Sequence, residues 1–477
     1  MAFFCAGRCC MARHVSLQTA DSFYKKEAFR TVSQEVSSSE AAADLTTADF
    51  SRPLSPQHAV ELVLHNNPDL QMARHRIHQA EAAMARSDAA FYPVIGFFTE
   101  YSQGDAPSAY LFKKIDQRLL PSPVDFNDPG WFENFESGVR GRLNLYNSGR
   151  DRLNRQITRI GVGIARLDRC RIENELISFV IHAFYDVLAV EAFIRIAGES
   201  VSTVEAQLRI MNVRLRAGGA LKSDILSLEV RLARAREDLL RSRNRYQTAW
   251  AAMAELIGIS PDQNPALLTS EMDMTDIPGD YADGLTFALS HRPELHRIKD
   301  RIARSRLEKA AAGSGYLPRV DLVATYYTDD PHMHYNARRE NWMMGIRFDW
   351  DLFTGFSTRA DVQKASAQLD EMMVADRKTV LAVTLDVKTA YLNLDEADAR
   401  FKVSRAGVEA SEEALRLVSK QYEGGSAVIT RYLEAELDRN RARVRAAAAY
   451  YDREKALSNI GRAIGFWVSR TVKGSNG

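Results

Sequence analysis

The sequence lacks an apolar run of the length that a transmembrane helix needs. A helix that spans lipid requires about 20 consecutive, predominantly apolar residues, and no uninterrupted apolar run among the 477 residues reaches 18. This absence predicts that the chain has no transmembrane helix. It says little about membrane strands, because these are short, alternate in polarity and give a far weaker signal per segment.

Cysteine is also scarce. The chain has four, at Cys5, Cys9, Cys10 and Cys170, and three of them precede the patterned part of the sequence. A single thiol in the body cannot form an internal disulfide there, so we predict a fold without structural disulfides. Cys9 or Cys10 could carry a lipid, but the usual residues before a lipidated cysteine are absent, and a disordered or misassigned N-terminus is the favoured alternative.

Enzyme motifs are missing as well. The sequence contains no Gly-rich phosphate loop, nucleophile elbow or Cys-x-x-Cys pair. The pairs His75/His78 and His332/His334 lack the carboxylates and thiols of a metal site, which favours solvated histidines. Lys plus Arg (63) nearly balance Asp plus Glu (62), so a nucleic-acid partner has no electrostatic support. We predict no catalytic residue, no metal site and no cofactor.

What the sequence does contain are segments that alternate in polarity with a period of two. Residues 134–145 and 341–352 show this pattern, and 95–101 begin a similar one after Tyr92-Pro93. A strand that is apolar on one face and charged on the other suits a β-barrel wall between lipid and water. The residues predicted to face lipid are Ile95, Phe97, Val139, Leu143, Leu322, Ile346, Phe348 and Trp350.

A Gly-containing turn and then a proline-free stretch follow each of the two longer alternating segments. The stretch 150–215 has apolar residues at spacings of three and four with occasional slips, which is typical of a coiled coil with stutters. As a helix, its 66 residues would measure roughly 100 Å at 1.5 Å per residue, about three times the thickness of a bilayer core. The pattern therefore predicts a barrel standing on an α-helical tunnel, with a second long helix at 358–422.

The plan of the chain occurs twice. Pro68 and Pro293 open similar motifs, and Gly218 and Gly425 follow similar long stretches, but the two glycines are closer together along the chain than the two prolines. The extra length of the first half lies in the Pro- and Gly-rich stretch 104–130, which we predict to be a long outer loop. The predicted segments are a leader or disordered N-terminus (1–52), a first repeat (53–260), a linker (261–280), a second repeat (281–466) and a C-terminal tail (467–477).

Shorter helices complete each repeat. Those predicted at 56–90 and 221–256 in the first half, and at 281–313 and 428–464 in the second, together nearly match the long helix of their half in length. Two short helices stacked end to end can lie alongside a long one. Such an arrangement predicts the wall of a cylinder.

Four membrane strands are too few to close a barrel. An open edge in lipid leaves backbone groups unsatisfied, at several kcal/mol each, and about eight strands is the minimum for a lipid-spanning barrel. Several chains must therefore share one barrel, and three would supply twelve strands. The periodicity requires closure but leaves the number of chains open.

The ordered and duplicated motifs resemble those of the TolC-like outer-membrane efflux proteins over about residues 53–466. The matching motifs are Asn66-Asn-Pro-Asp-Leu70, Tyr92-Pro93, Leu145-Tyr-Asn-Ser-Gly-Arg150, Leu352-Phe-Thr-Gly355 and the turns at Gly218 and Gly425. The resemblance implies an α+β membrane protein in which a homotrimer shares a small antiparallel β-barrel in the outer membrane above a long α-helical coiled-coil barrel in the periplasm. It also implies a channel of a tripartite efflux or type I secretion system that binds a periplasmic adaptor and an inner-membrane transporter.

The resemblance further implies roles for the two helical tips. Adaptor docking maps to Gly218, Gly219, Tyr422, Gly424 and Gly425, with Ala220 and Ser426 as neighbours. The glycines could equally serve as left-handed turn residues, and the two roles are compatible.

The periplasmic entrance maps to Asp224, Arg431 and Glu434. Arg431 departs from the family, in which aspartate is common at that position. An Arg431–Asp224 link between neighbouring hairpins could hold the entrance shut, although a solvated helix face is the favoured interpretation.

The alternative from another class is a soluble coiled-coil scaffold without membrane insertion. It would account for the long helices. It would not account for four alternating strands placed at the same point of both halves.

Overall fold

A computed structural model describes residues 53–263, 265–269, 272–332, 334 and 337–468. The predicted leader and residues 469–477 of the predicted tail lie outside the described residues. The elements of the first half are α1 (Pro56–Asn66), α2 (Pro68–Asp88), β1 (Val94–Gly104), α3 (Pro107–Asp116), β2 (Phe132–Asn147), α4 (Arg150–Arg216) and α5 (Lys222–Ile257). Those of the second half are α6 (Tyr281–His291), α7 (Pro293–Gly313), β3 (Arg319–Asp330), β4 (Glu340–Asp349), α8 (Ser357–Glu423) and α9 (Ile429–Ile464).

Apart from α3, the two halves have the same order of elements and nearly the same lengths. The long helices α4 and α8 have 67 residues each, and the return helices α5 and α9 have 36 each. The predicted long helices are therefore confirmed to within one residue at either end. At 1.5 Å per residue, each is about 100 Å long.

The helices form a wall. Helices α2 and α5 both contact α4 on one side, whereas α7 and α9 lie between α4 and α8. Each pair of short helices thus runs beside a long helix, as the predicted lengths require. The main apolar core lies where α1 and α6 meet the middle of this wall, and Val180, Phe184, Trp250, Val387 and Ile464 are among its buried residues.

The junctions between stacked helices are built alike in the two halves. In the first, the Asn67 side chain donates a hydrogen bond to the Leu256 carbonyl (2.9 Å), and in the second, Arg292 donates to the Ala463 carbonyl (2.7 Å). Both residues precede the proline that opens the next helix, a position from which the α-conformation is disfavoured. They therefore satisfy carbonyl groups that the ends of α5 and α9 leave without an intrahelical partner.

The four strands form one antiparallel sheet in the order β1-β2-β3-β4. The register places Val139 of β2 between Phe97 of β1 and Tyr326 of β3, so the faces of neighbouring strands coincide. The pairing of β2 with β3 shifts between Asn144 and Tyr146. Such a β-bulge re-aims the end of a strand, here just before the turn into α4.

Two expectations at the ends of the sheet need correction. The stretch 104–130 is not wholly loop, because it contains α3, which begins at a proline in its first turn. Strand β4 ends at Asp349, so Trp350 lies just beyond the sheet and donates its indole hydrogen bond to the Tyr316 carbonyl (3.1 Å). A local composition of Pro, Gly, Asp and Ser could not reveal the contacts that hold α3 in place.

The predicted tail and linker also pack more closely than their names suggest. Trp467 is only 2% exposed and lies against Gly461, where an added Cβ would approach the indole to 2.8–2.9 Å. Met274 and Ile277 of the linker belong to the main core. Both segments therefore add apolar surface to the helical wall.

Helix α4 bears on the prediction that the chain has no transmembrane helix. Within the described residues it contains a window that is long and apolar enough to cross a membrane by length and composition, and 56% of that window is buried inside the protein. The buried apolar residues of α4 from Leu176 to Ala192 belong to the main core. Packing within the protein thus accounts for the apolar composition of this window.

Candidate functional site

One face of the sheet carries exposed apolar side chains. The exposed fractions are 69% at Ile95, 74% at Phe97, 43% at Val139, 76% at Trp342, 70% at Ile346 and 60% at Phe348. The predicted residues Leu143 and Leu322 pair directly on the same face and are half-buried. A soluble sheet would cover such a face, and a lipid-facing barrel wall leaves it exposed.

The opposite face of the sheet is polar. It presents Arg140 and Arg142 of β2, Asp321 of β3 and Arg347 of β4, and the Arg140 guanidinium lies 4.7 Å from the centre of the Phe98 ring. Apolar and polar faces therefore separate as the sequence alternation predicts. Such a separation is what a barrel wall between lipid and water requires.

The two outer strands, β1 and β4, each pair with one neighbour only among the described residues. Their remaining N–H and C=O groups point away from the protomer. In water such an edge invites association, and in lipid its unpaired groups are too costly to persist. The protomer is therefore incomplete as a membrane structure.

The helical tips turn on two left-handed glycines. Gly218 has φ +73° and Gly425 has φ +77°, whereas the neighbouring Gly219 and Gly424 do not adopt positive φ. The turn that follows closes through hydrogen bonds from the Gly219 amide to the Arg214 carbonyl and from the Ser426 amide to the Gln421 carbonyl (2.8 and 2.9 Å). A side chain at positive φ is strained, so the turn function of Gly218 and Gly425 follows from the backbone itself.

Tyr422 joins the two tips. Its hydroxyl donates to the Met211 sulfur (2.9 Å), its ring stacks on Tyr432 at 5.6 Å, and the Arg214 guanidinium lies 5.8 Å from the ring centre. Burial raises the pKa of Tyr422, so the hydroxyl stays protonated and can donate at neutral pH. The sequence placed Tyr422 at a tip, but not in the contact between the tips.

The predicted entrance residues have different surroundings. Asp224 accepts a hydrogen bond from the Leu221 amide (3.3 Å) at the start of α5. Arg431 and Glu434 are exposed, and no ion pair between Arg431 and Asp224 is found in the described protomer. The link predicted from the sequence is therefore not formed within a single chain.

A buried ionic cluster was not foreseen from the sequence. Glu436 of α9 is fully buried and accepts hydrogen bonds from Arg231 of α5 (2.9 and 3.2 Å) and from Ser200 of α4 (3.0 Å). Asn440, one turn further along α9, also donates to it. One carboxylate thus connects both long hairpins, about three helical turns along the chain from the tip glycine Gly425.

The described residues contain no group of three or more His, Cys, Asp or Glu side chains arranged to hold a metal ion. The His332 and His334 rings lie 6.3 Å apart, and the backbone amides of both residues donate to Asp330. The role of these two residues in this geometry is to close the outer turn between β3 and β4.

Comparison with known proteins places this arrangement in a family. The family model described as "Outer membrane efflux protein" matches residues 59–259 and 285–466. The chain belongs to the outer membrane efflux protein family. The two matched ranges cover both long hairpins and the whole sheet.

The similarity to known relatives is low in sequence identity but extends over much of the chain. The pyoverdine export outer membrane protein OpmQ of Pseudomonas aeruginosa is 22% identical over 79% of this chain and 78% of its own length. OprJ of the same organism is 25% identical over 55% of each chain. The Campylobacter jejuni CmeC outer membrane channel has the same fold, with a TM-score of 0.76, 15% identity and coverage of 88% of both chains.

The family decides between the two predicted functions. The chain is an outer-membrane channel component of an efflux or secretion system, located in the outer membrane and extending into the periplasm, and not a soluble scaffold. The exposed apolar face of the sheet agrees with this function, because a soluble scaffold would not expose such a face to water.

Proposed function

We propose that three copies of this chain form one continuous conduit, with a 12-stranded barrel in the outer membrane and a helical tunnel in the periplasm. The observation that carries the proposal is the pair of free sheet edges on β1 and β4. A ring closes when β4 of each copy pairs with β1 of the next, because a head-to-tail interface with a suitable rotation generates a closed ring. Twelve strands exceed the eight that a membrane barrel needs.

The helical wall also has a free side that supports the ring. On α8, the outermost helix, Val374, Leu381, Leu385, Leu392 and Val403 are between 53% and 73% exposed. The spacings between successive members of this set are combinations of three and four residues, which is the helical repeat. All five side chains therefore fall on one narrow stripe of the helix. We assign this stripe to contact with the α2 and α5 side of the next copy.

At the other end, the proposal assigns the tips to a periplasmic adaptor that leads to an inner-membrane transporter. Gly218, Gly219, Gly424 and Gly425 leave a surface without side chains beside Tyr422, and a Cβ added at Gly218 or Gly425 would meet nothing within 4 Å. A partner helix can approach such a backbone closely, as it does at other small-residue helix contacts. Asp224, Arg431 and Glu434 lie just beyond and would line the entrance.

Cysteine cross-linking between sheet edges tests the ring. In a background in which the four native cysteines are serine, Ile346→Cys of β4 is combined in turn with Ile95→Cys, Phe97→Cys or Thr99→Cys of β1. One combination should produce a covalent trimer, because cross-strand partners lie at disulfide distance. The control combines Ile346→Cys with Val139→Cys on the interior strand β2, and this combination should give no cross-link between copies. Absence of cross-linked species in all three combinations would refute the shared barrel.

A photo-reactive residue tests the tips. Placed at Ser426 in the source cell, it should cross-link to another envelope protein, and adding Gly425→Val should remove the adduct while the trimer still forms. The valine both strains the positive-φ turn and fills the open surface. Gly407→Val, within α8 and with open space around its Cβ, is the control. Absence of any adduct from Ser426 would refute docking at the tip, and an adduct that survives Gly425→Val would refute the close approach to its bare backbone.

A further inference from the structure

The first outer loop carries a helix that folds over the polar face of the sheet. Helix α3 lies within the extra length that distinguishes the first hairpin loop from the second. The contacts of α3 and the residues just after it extend across three strands, to Glu136 and Asn134 of β2, Asp329 of β3 and Asn341 of β4. All four of these positions belong to the polar face in the strand register.

The anchoring of α3 is ionic and buried. Lys113 Nζ lies 2.5 Å from Glu136 Oε2 and 3.1 Å from Asp329 Oδ1, and Asp329 is fully buried. Gln117, also fully buried, donates to the Asn134 amide oxygen (2.8 Å), and Asn134 donates to Asp329 (2.6 Å). A buried, hydrogen-bonded network of this kind fixes a specific position, so α3 is a docked element rather than a mobile loop.

The other side of α3 is apolar and exposed. Phe112 is 65% exposed, Ile115 41% and Leu119, just past the helix end, 42%. These residues lie on the opposite side from Lys113 and Gln117 at the helical period. In a barrel whose polar face points inward, this apolar side faces the barrel axis.

The dimensions of the barrel bring the three copies of α3 together. Twelve strands about 4.8 Å apart and tilted about 40° close on a radius of roughly 12 Å. A helix with its side chains is about 10 Å across, and α3 lies against the inside of the wall. Three such helices cannot line the same rim without touching, so Phe112, Ile115 and Leu119 would meet their counterparts near the axis.

We propose that the three α3 helices form a stopper at the outer mouth of the channel, held to the wall by Lys113 and joined at the axis by their apolar sides. The occupant of each exposed apolar side is thus a second copy of this chain. The inference rests on the proposed trimer. The stopper closes the outer end of the conduit. Cargo passes when Lys113 of α3 separates from Glu136 and Asp329 and the helix leaves the wall.

Labelling from outside the cell tests the stopper independently of the periplasmic entrance. A cysteine is placed at Gly345 on the polar face of β4, where an added Cβ meets nothing within 4 Å, in the cysteine-free background. A bulky, membrane-impermeant maleimide is added to intact cells. The reaction should be slow with the full loop, because the maleimide reaches the cysteine only when α3 opens transiently. It should be about tenfold faster or more after deletion of residues 107–124, because this deletion removes α3 altogether.

Single substitutions separate the anchor from general charge effects. Lys113→Met should speed the labelling of Gly345→Cys, because it leaves Glu136 and Asp329 without their cation. Lys114→Met, next to it and over the Tyr110 ring (5.8 Å), should leave the rate unchanged. Ile115→Cys should also yield cross-links between copies when a short bis-maleimide is added.

The outcomes distinguish the stopper from the proposed function. A cysteine at Asn127, an exposed loop position, is labelled in every variant if the protein is in the outer membrane, and failure of that reaction would refute the proposed function. Labelling of Asn127→Cys together with equal rates at Gly345→Cys for the full and shortened loops would refute the stopper alone. Absence of Ile115→Cys cross-links in a trimer that cross-links at its sheet edges would also refute it.

Discussion

At the scale of single residues, the sequence revealed backbone requirements better than buried charges. Gly218 and Gly425 stand at the ends of long periodic stretches, and both adopt positive φ. Glu436 gave no such signal, because its partners Ser200 and Arg231 lie far away along the chain, on two other helices. Periodicity reports which face of a helix is apolar, but it cannot pair a charge on one helix with a charge on another.

Glu436→Ala tests the buried cluster. It would leave Arg231 buried without its carboxylate, and breaking a buried ion pair from one side typically costs about 3–5 kcal/mol. We therefore expect a large fall in the free energy of unfolding of the helical domain. Circular dichroism at increasing denaturant concentration measures this change. Asp438→Asn, two positions away with a 70% exposed side chain, is the control. Equal stability of the two variants would show that Glu436 does not hold the hairpins together.

At the scale of elements, the long helices and the sheet were predictable and α3 was not. Helices α4 and α8 repeat apolar residues over many turns, and the strands alternate over their whole length, so each signal accumulates. Helix α3 has ten residues, too few for a periodic signal, and Lys113, Gln117 and their partners on the strands hold it. Trp350 was misplaced because alternation continues past the last paired residue of β4.

The stability of the junction between α7 and α9 should depend on pH through the carboxyl group of Asp386. Burial alone would raise the pKa of this carboxyl, but hydrogen bonds and charge from Arg462 and Arg292 outweigh burial and hold the pKa below its usual 3.8. The stabilisation is therefore present above about pH 4 and is lost as pH falls through the lowered pKa.

Asp386→Asn isolates this contribution. The variant should unfold more easily at pH 7, by about 1.5–3 kcal/mol for hydrogen bonds to a charged group. The difference from the wild type should shrink below pH 4, as the wild-type carboxyl becomes protonated. Thermal unfolding between pH 3 and pH 7 measures this directly. A difference that stays constant over the whole range would exclude the ionised carboxylate as the cause.

At the scale of the whole molecule, the sheet is the part that a single chain leaves incomplete, and the proposed ring would complete it. The sheet has two unpaired edges among the described residues, an apolar face without cover and a polar face that needs water. The sequence predicted this incompleteness from four strands, and the family places the chain in the outer membrane. The number of copies follows from neither, because closure depends on strand tilt and on contacts between chains that a single sequence does not encode locally.

The mass of the species extracted from outer membranes in detergent tests the account most directly. We predict a particle with three chains for the wild type and for Arg347→Gln on the polar face. Ile346→Arg should lose assembly, because an arginine on the lipid face costs about 2–4 kcal/mol near the middle of the bilayer. A wild-type chain that is extracted as a monomer, or an Ile346→Arg variant that assembles normally, would contradict the shared barrel.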